Sequence, residues 1–105
     1  MDSVRTVKRR GVSYLVYENE TPTLARYWEW DVSHDPTYEV LERFLDKDHS
    51  YIDVGVHLGQ TILYGSQFAK SVYAIEPDAE ALRITKRNME LNDVSNVKLI
   101  PKALG

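Results

Sequence analysis

The sequence contains no cysteine, no long hydrophobic run and little net charge. Without cysteine, the chain can form neither a disulfide framework nor a thiolate metal site. Its N-terminus is polar and charged, so we expect neither a signal peptide nor a membrane partner, and we expect a cytoplasmic protein. A net charge of −3 is too small to favour a nucleic-acid surface, and the short basic run at residues 8–10 is more typical of a solvated turn. We therefore expect no nucleic-acid partner.

The composition of the sequence, 43% hydrophobic and 28% charged over 105 residues, is typical of one soluble globular domain. Residues 1–33 are predicted to form an N-terminal β-hairpin followed by an aromatic cover segment. The hairpin strands at 4–7 and 12–17 are rich in β-branched and aromatic residues and flank a turn that ends at Gly11. The cover segment is crowded with Tyr27, Trp28 and Trp30, which is more typical of core packing than of a ligand platform.

A helix is predicted to begin after Asp35, because this N-cap acid is followed by Pro36 at the first helical position. Its apolar residues have a helical spacing and predict one buried face: Tyr38, Leu41, Phe44 and Leu45. Beyond it, short apolar strands are predicted at 51–54, 71–75 and 97–100, and helices at 60–69 and 78–92. Strands that alternate with helices of this length predict an α/β fold with a Rossmann-like, doubly wound parallel sheet, of which the chain contains the first three strands.

The first of these strands runs into a glycine turn and the second ends on Glu76, an order that is typical of a nucleoside site. A dinucleotide turn requires glycine where this chain has His57 and Gln60, so a ligand with a pyrophosphate is disfavoured. The sequence has no P-loop motif either. Glu76 lies 21 residues after Gly55, close to the spacing of a carboxylate that binds both ribose hydroxyls. The alternative is an exposed glutamate that caps the helix starting at Pro77.

A ligand with a ribose but no phosphate fits both observations, and S-adenosylmethionine is such a ligand. Here the sequence resembles the FkbM-type methyltransferases, a branch of the class I S-adenosylmethionine-dependent methyltransferases. The resemblance is carried by the strings IDVGVHLGQT at 52–61, VYAIEPD at 72–78 and NMELN at 88–92. It extends to Asn96, Val97 and residues 102–104, and it covers residues 51–105. The class more often has glycine at the position of His57, whereas the FkbM branch tolerates histidine or asparagine there.

By that resemblance, residues 34–105 form a partial class I methyltransferase domain that binds S-adenosylmethionine and serves O-methyl transfer to an unidentified acceptor. Asp53 would orient the methionine ammonium, partly through water, and Glu76 would hold the ribose hydroxyls. For His57, a role in stabilising the turn or contacting the cofactor is favoured over that of a catalytic base. The remaining implied contacts are the backbones of Gly55 and Gly59, then Pro77 and Asp78 at the border of the adenine, and Lys102 and Ala103 at its other side.

By the same resemblance the complete sheet has seven strands, and its pocket lies between the first and the fourth. The fourth strand would follow Gly105, so the first strand keeps an open apolar edge that invites pairing with another chain. We expect a truncated methyltransferase; a split protein, a degenerate gene product and self-association through the open edge are the alternatives. A non-catalytic Rossmann-like association module is the second functional hypothesis. A nicotinamide-dependent oxidoreductase is the third, and His57 and Gln60 disfavour it.

Overall fold

The structure, a computed structural model, describes residues 3–18, 27–29 and 35–103. Its helices and strands are β1 (Val4–Arg9), β2 (Val12–Tyr17), α1 (Pro36–Phe44), β3 (Tyr51–Val54), α2 (Gln60–Gly65), β4 (Val72–Ile75), α3 (Ala79–Leu91) and β5 (Val97–Ile100). A short helical turn at 27–29 precedes α1. The rest of the predicted cover segment, Trp30 included, lies outside the described residues. Within the described ranges, no helix is long and apolar enough to cross a membrane.

The strands β3, β4 and β5 form a parallel sheet in that order. Helices α2 and α3 connect them, because parallel neighbours require a crossover. Along β4, Val72 and Ala74 are fully buried, whereas Tyr73 points to the opposite face and is 44% exposed. The prediction of an α/β fold with three Rossmann-like parallel strands is therefore confirmed.

The N-terminal hairpin is also present as predicted, with β1 extending to Arg9. Its two-residue turn consists of Arg10 and Gly11, whose φ angles of 51° and 84° are those of the turns that suit antiparallel strands. The inward-facing side chains of the hairpin are at most 3% exposed and share one core with residues of α2 and α3: Val7, Tyr14 and Val16. The hairpin is thus packed on the helices that flank the sheet, while the division of the chain at residue 33 stays a prediction.

Asn88 of α3 and Asn92, the C-cap residue that follows this helix, connect it to the edge of β2. Asn88 Oδ1 accepts the N–H of Tyr17 at 2.9 Å. The Asn92 side chain accepts the N–H of Leu15 at 2.8 Å and donates to the Leu15 carbonyl at 2.7 Å. Because the two residues are four positions apart, they lie on one face of the helix. The NMELN string therefore has a structural role, since it supplies hydrogen-bond partners to the backbone of β2.

The start of α1 agrees with the sequence prediction. The Asp35 carboxylate accepts the N–H of Thr37 at 2.9 Å, and Pro36 occupies the first helical position. The buried Tyr38 packs edge-on against Tyr64 of α2, with ring centroids 4.9 Å apart. This aromatic pair holds α1 against α2.

Two details of the helices differ from the prediction. Phe44 was expected to be buried, but it is 66% exposed. It is the last residue of α1 and lies six positions after Tyr38, which places it about 120° away from Tyr38 around the helix axis and outside the buried stripe. Helix α2 ends at Gly65 instead of residue 69, because glycine is a poor helix former and the chain continues in tight turns. A side chain at Gly65 would also collide with the ring of Tyr51.

Candidate functional site

The turn that follows β3 contains three residues with a left-handed backbone: Gly55 (φ 74°), His57 (φ 56°) and Gly59 (φ 88°). Gly59 is the N-cap of α2, and a Cβ there would lie 3.0 Å from Thr85 Cγ2. The left-handed backbone at this position favours glycine, and the close approach of Thr85 adds to that preference. The N–H of Gly55 donates to the carbonyl of Ile75 at 2.9 Å, so the turn is aligned with the end of β4.

Glu76 is the first residue after β4 and is only 8% exposed. Its Oε1 accepts the N–H of His57 at 2.8 Å, and its Oε2 accepts the N–H of Asp78 at 3.0 Å. The alternative of an exposed capping glutamate is wrong, because Asp78 caps α3 by accepting the N–H of Glu80. A carboxylate offers about four acceptor positions. Since two are used here, Glu76 can still accept from two hydroxyls of a ligand.

His57 links the turn to two other parts of the molecule. Its carbonyl accepts the Thr85 hydroxyl of α3 at 3.2 Å, and its ring lies edge-on to Tyr27, with centroids 5.4 Å apart. A left-handed backbone is uncommon for histidine. The hydrogen bonds from its N–H to Glu76 and to its carbonyl from Thr85 hold both adjoining peptide groups and explain why this conformation persists. These contacts are those of a residue that stabilises the turn.

Asp53, the third residue of β3, is partly buried beside the turn. Its Oδ2 accepts the Thr61 hydroxyl at 2.6 Å. Burial raises the pKa of Asp53, and the hydrogen bond from Thr61 opposes that rise. Keeping this carboxylate ionised therefore costs free energy, which a bound cation would offset.

The other predicted contacts lie at the same edge of the sheet and are exposed: Pro77, Asp78, Lys102 and Ala103. Asp78 is joined to Glu76 through its N–H, whereas Ala103 lies three residues after the end of β5. The structure thus joins Gly55, His57, Gly59 and Glu76 through the turn and its hydrogen bonds, with Asp53 beside them, and leaves the predicted adenine contacts at the rim.

Sequence reasoning missed three residues that complete this unit: Tyr27, Thr61 and Thr85. Thr61 could have been found, because it stands in the first turn of the helix that follows the glycines. Tyr27 and Thr85 carry no local signal, since they reach the turn from other elements. Gln60 adds a further polar group, because its side-chain nitrogen is buried without a hydrogen-bond partner in the described part of the chain.

A cavity of about 200 Å³ runs along β3 beside α1, with Asp53 and Thr61 in its wall. A larger hollow of about 440 Å³ lies at the opposite end of the sheet, where it is lined by Lys47, Lys70 and Asn96 among others. The smaller cavity adjoins the candidate site, because Asp53 and Thr61 line it. The larger hollow lies away from the carboxyl ends of the strands, where ligands of open α/β sheets bind. Among the described residues, no cluster of three potential metal ligands occurs.

No protein-family model matches the chain. Over 54 residues it is 41% identical to an uncharacterised RNA methyltransferase of Oceanobacillus iheyensis, an alignment that covers 51% of this chain and 12% of that protein. Its structure is similar to that of a candidate methyltransferase from Streptococcus mutans in complex with SAH, with a TM-score of 0.65 and 28% identity, over 70% of this chain and 42% of the other. M. jannaschii TYW2 in complex with AdoMet gives a TM-score of 0.63 at 18% identity, over 95% of this chain and 43% of that one.

The similarity to TYW2 extends over nearly the whole chain, so the hairpin and α1 also have counterparts in that structure. The chain spans 12% of the length of the Oceanobacillus relative and less than half of the length of the two solved structures. The names of these proteins do not distinguish the FkbM branch. The structural similarities, together with the parallel sheet and its glycine turn, show that the chain has the Rossmann-like fold of the class I S-adenosylmethionine-dependent methyltransferases.

Proposed function

We propose that this chain is the S-adenosylmethionine-binding portion of a methyltransferase. The observation that carries the proposal is the buried carboxylate of Glu76, held against the glycine turn by the N–H of His57, with Asp53 on the adjacent strand. Both carboxylates stand near the carboxyl ends of neighbouring parallel strands, where open α/β sheets bind their ligands. Solved structures that share the fold include one complex with SAH and one with AdoMet.

The two carboxylates suit different parts of this cofactor. Glu76 keeps acceptor positions for the two ribose hydroxyls, and bonds to an ionised acceptor are the stronger kind. Asp53 is partly desolvated, so the methionine ammonium would offset the cost of its charge. A Cβ added at Gly55 would meet no atom within 4 Å, which leaves open space beside the turn for the ligand. At the rim, Pro77, Asp78 and Ala103 would border the adenine, as the family resemblance implies.

We further propose that the parent protein belongs to the FkbM branch, is cytoplasmic and transfers the methyl group to oxygen. The histidine at position 57 supports the branch. In such a transfer the acceptor oxygen displaces the thioether sulfur in line, and a base takes the hydroxyl proton. The acceptor is open: the Oceanobacillus relative is named as an RNA methyltransferase, which weighs against our expectation that nucleic acid is not a partner.

Calorimetric titration of the folded chain with S-adenosylhomocysteine tests the proposal. We expect saturable binding by the wild type and at least about tenfold weaker binding by Asp53→Asn, because a contact to a charged group contributes roughly 1.5–3 kcal/mol. Glu80→Gln is the matched control, since Glu80 loses the same charge from an exposed pair with Arg83. A folded sample without saturable binding, or an unchanged affinity in Asp53→Asn, would contradict the proposal.

A non-catalytic association module is the second candidate, and the edge of β3, which pairs with no strand of the described residues, favours it. Ile52 and Val54 are 64% and 54% exposed there, and an open apolar edge invites another strand. Light scattering separates the two candidates: a stable dimer that does not bind S-adenosylhomocysteine supports the module, whereas a monomer that binds it excludes the module. Titration with NADH addresses the oxidoreductase hypothesis, which saturable binding at micromolar concentration would revive.

A further inference from the structure

The helical turn that contains Tyr27 is fixed to the N-terminal hairpin at three points. Trp28 is 1% exposed and belongs to the main core. Its carbonyl accepts the Arg9 guanidinium at 3.1 Å, and the Glu29 carboxylate accepts Arg5 at 3.2 Å. One buried indole and two hydrogen bonds to β1 leave the backbone at Tyr27 little freedom to move relative to the hairpin.

From this turn, the side chain of Tyr27 reaches the glycine turn. Its ring lies 5.4 Å from the imidazole of His57 at an interplanar angle of 65°, and 4.8 Å from Trp28 at 83°. Both separations are typical of favourable edge-to-face pairs. Burial raises the pKa of Tyr27 to about 12; Arg9 opposes the rise and the Asp53 carboxylate adds to it. The phenol is therefore neutral near pH 7, and it lies within electrostatic range of the candidate site.

We propose that Tyr27 is a positioning residue of the cofactor site, and that the N-terminal segment is thereby part of that site. The hydrogen bonds to Glu76 and from Thr85 fix the backbone of His57, but they leave its imidazole free to rotate about the side-chain bonds. The ring of Tyr27 restricts that rotation and holds the imidazole beside the turn where the cofactor binds. This inference rests on the proposed function and adds to it a residue that the family resemblance does not assign.

The test combines two measurements on the full chain, proton NMR of the His57 imidazole and titration with S-adenosylhomocysteine. Tyr27→Leu removes the ring, and Tyr27→Phe keeps it. Tyr73→Leu is the matched control, because Tyr73 is 44% exposed on the opposite face of the sheet. The spectrum of His57→Asn identifies the imidazole signals.

In Tyr27→Leu we expect the His57 signals to move and the affinity to fall about fivefold, which corresponds to the loss of one aromatic edge contact. Tyr27→Phe is expected to keep the affinity to within about twofold and to retain the imidazole environment, and Tyr73→Leu to change neither quantity. Unmoved His57 signals in Tyr27→Leu would overturn the positioning role. Moved signals with an unchanged affinity would overturn the assignment of the pair to the cofactor site.

If the wild type itself does not bind, the proposed function fails, and the NMR arm still decides whether Tyr27 positions His57. If Tyr27→Leu does not fold, His57→Gly replaces it, since that change leaves the buried anchor of the helical turn intact. The Tyr27 ring signals should then move and the affinity should fall about fivefold. Tyr27 signals that match those of the wild type would overturn the inference.

Discussion

We expect Glu76→Gln to destabilise the chain in the absence of any ligand. The substitution keeps the size of a side chain that is 8% exposed and converts one carboxylate oxygen to an NH₂ group. Both oxygens now accept a backbone N–H, from His57 at 2.8 Å and from Asp78 at 3.0 Å. The amide can accept from only one of them, so the other N–H faces a second donor. A buried donor without a partner costs about 1–3 kcal/mol, and the remaining bond loses its charge assistance.

The expected loss is therefore about 2 kcal/mol in the free energy of unfolding, or about 10 °C in Tm for a domain of this size. Urea and thermal unfolding followed by circular dichroism at neutral pH measure it directly. Glu80→Gln serves as the control, because it removes the same charge from an exposed pair with Arg83 that is worth about 0.5 kcal/mol at most. Equal midpoints for the two variants would refute the reasoning, since a carboxylate that served the ribose alone would not affect the unliganded chain.

Substitutions at three further positions test other contacts. Asp53→Asn should raise the free energy of unfolding at neutral pH. Burial raises the pKa of Asp53, so the wild type loses stability as the pH rises through that raised value. The neutral amide of the variant avoids this loss and can still accept the hydrogen bond from Thr61. This gain in the free energy of unfolding should vanish below the ordinary pKa of 3.8, where Asp53 is protonated in both the folded and the unfolded wild type. A gain that did not depend on pH in acid unfolding curves would contradict this prediction. Asn92→Ala should cost about 1–2 kcal/mol in urea through its two hydrogen bonds to Leu15. Asn92→Asp should cost at least as much, because its second carboxylate oxygen would face the carbonyl oxygens of Leu15 and Asn88, to which the amide now donates; a clearly smaller loss in Asn92→Asp would count against this account. The free energy of unfolding of His57→Gly should stay within about 1 kcal/mol of that of the wild type, because glycine relieves the strain of the left-handed backbone. This relief offsets the lost ring contact and the greater freedom of glycine in the unfolded chain. His57→Ala keeps the strain and should be the less stable of the two by urea unfolding; the reverse order would disprove the account.

Local sequence predicts those parts of the fold that local forces decide. The carboxylate of Asp35 and the ring of Pro36 start α1 whatever surrounds it, and Gly11 closes the hairpin for the same reason. Phe44 shows the limit of this reasoning. Helical spacing identifies an apolar stripe, but the width of its buried part depends on which neighbours pack against the helix. In α1, Tyr38 is buried and Leu41 partly buried, whereas Phe44 remains exposed.

The candidate site was predicted in part for a related reason. The position of Glu76 at the end of a strand indicates a carboxylate that faces a ligand. Its bond to the N–H of His57 joins residues 19 apart in the sequence, and the bond from Thr85 to His57 spans 28. These partners are determined by the packing of α3 and β4 against the turn, and the approach of Tyr27 is determined by the packing of its helical turn on the hairpin. No spacing rule within the segment formed by β3, α2 and β4 contains that information.

When one carboxylate serves both the fold and a ligand, a mutation of that residue cannot separate the two roles. Any change at Glu76 that disturbs its bonds to the turn is expected to lower stability and affinity together. Asp53 behaves differently, because its charge is unfavourable in the unliganded fold and favourable toward a cationic ligand. Asp53→Asn should therefore stabilise the chain and weaken its affinity for S-adenosylhomocysteine, a combination that a purely structural residue cannot give. If the variant lost stability as well, the charge of Asp53 would be favourable in the unliganded fold, and this difference between Asp53 and Glu76 would be wrong.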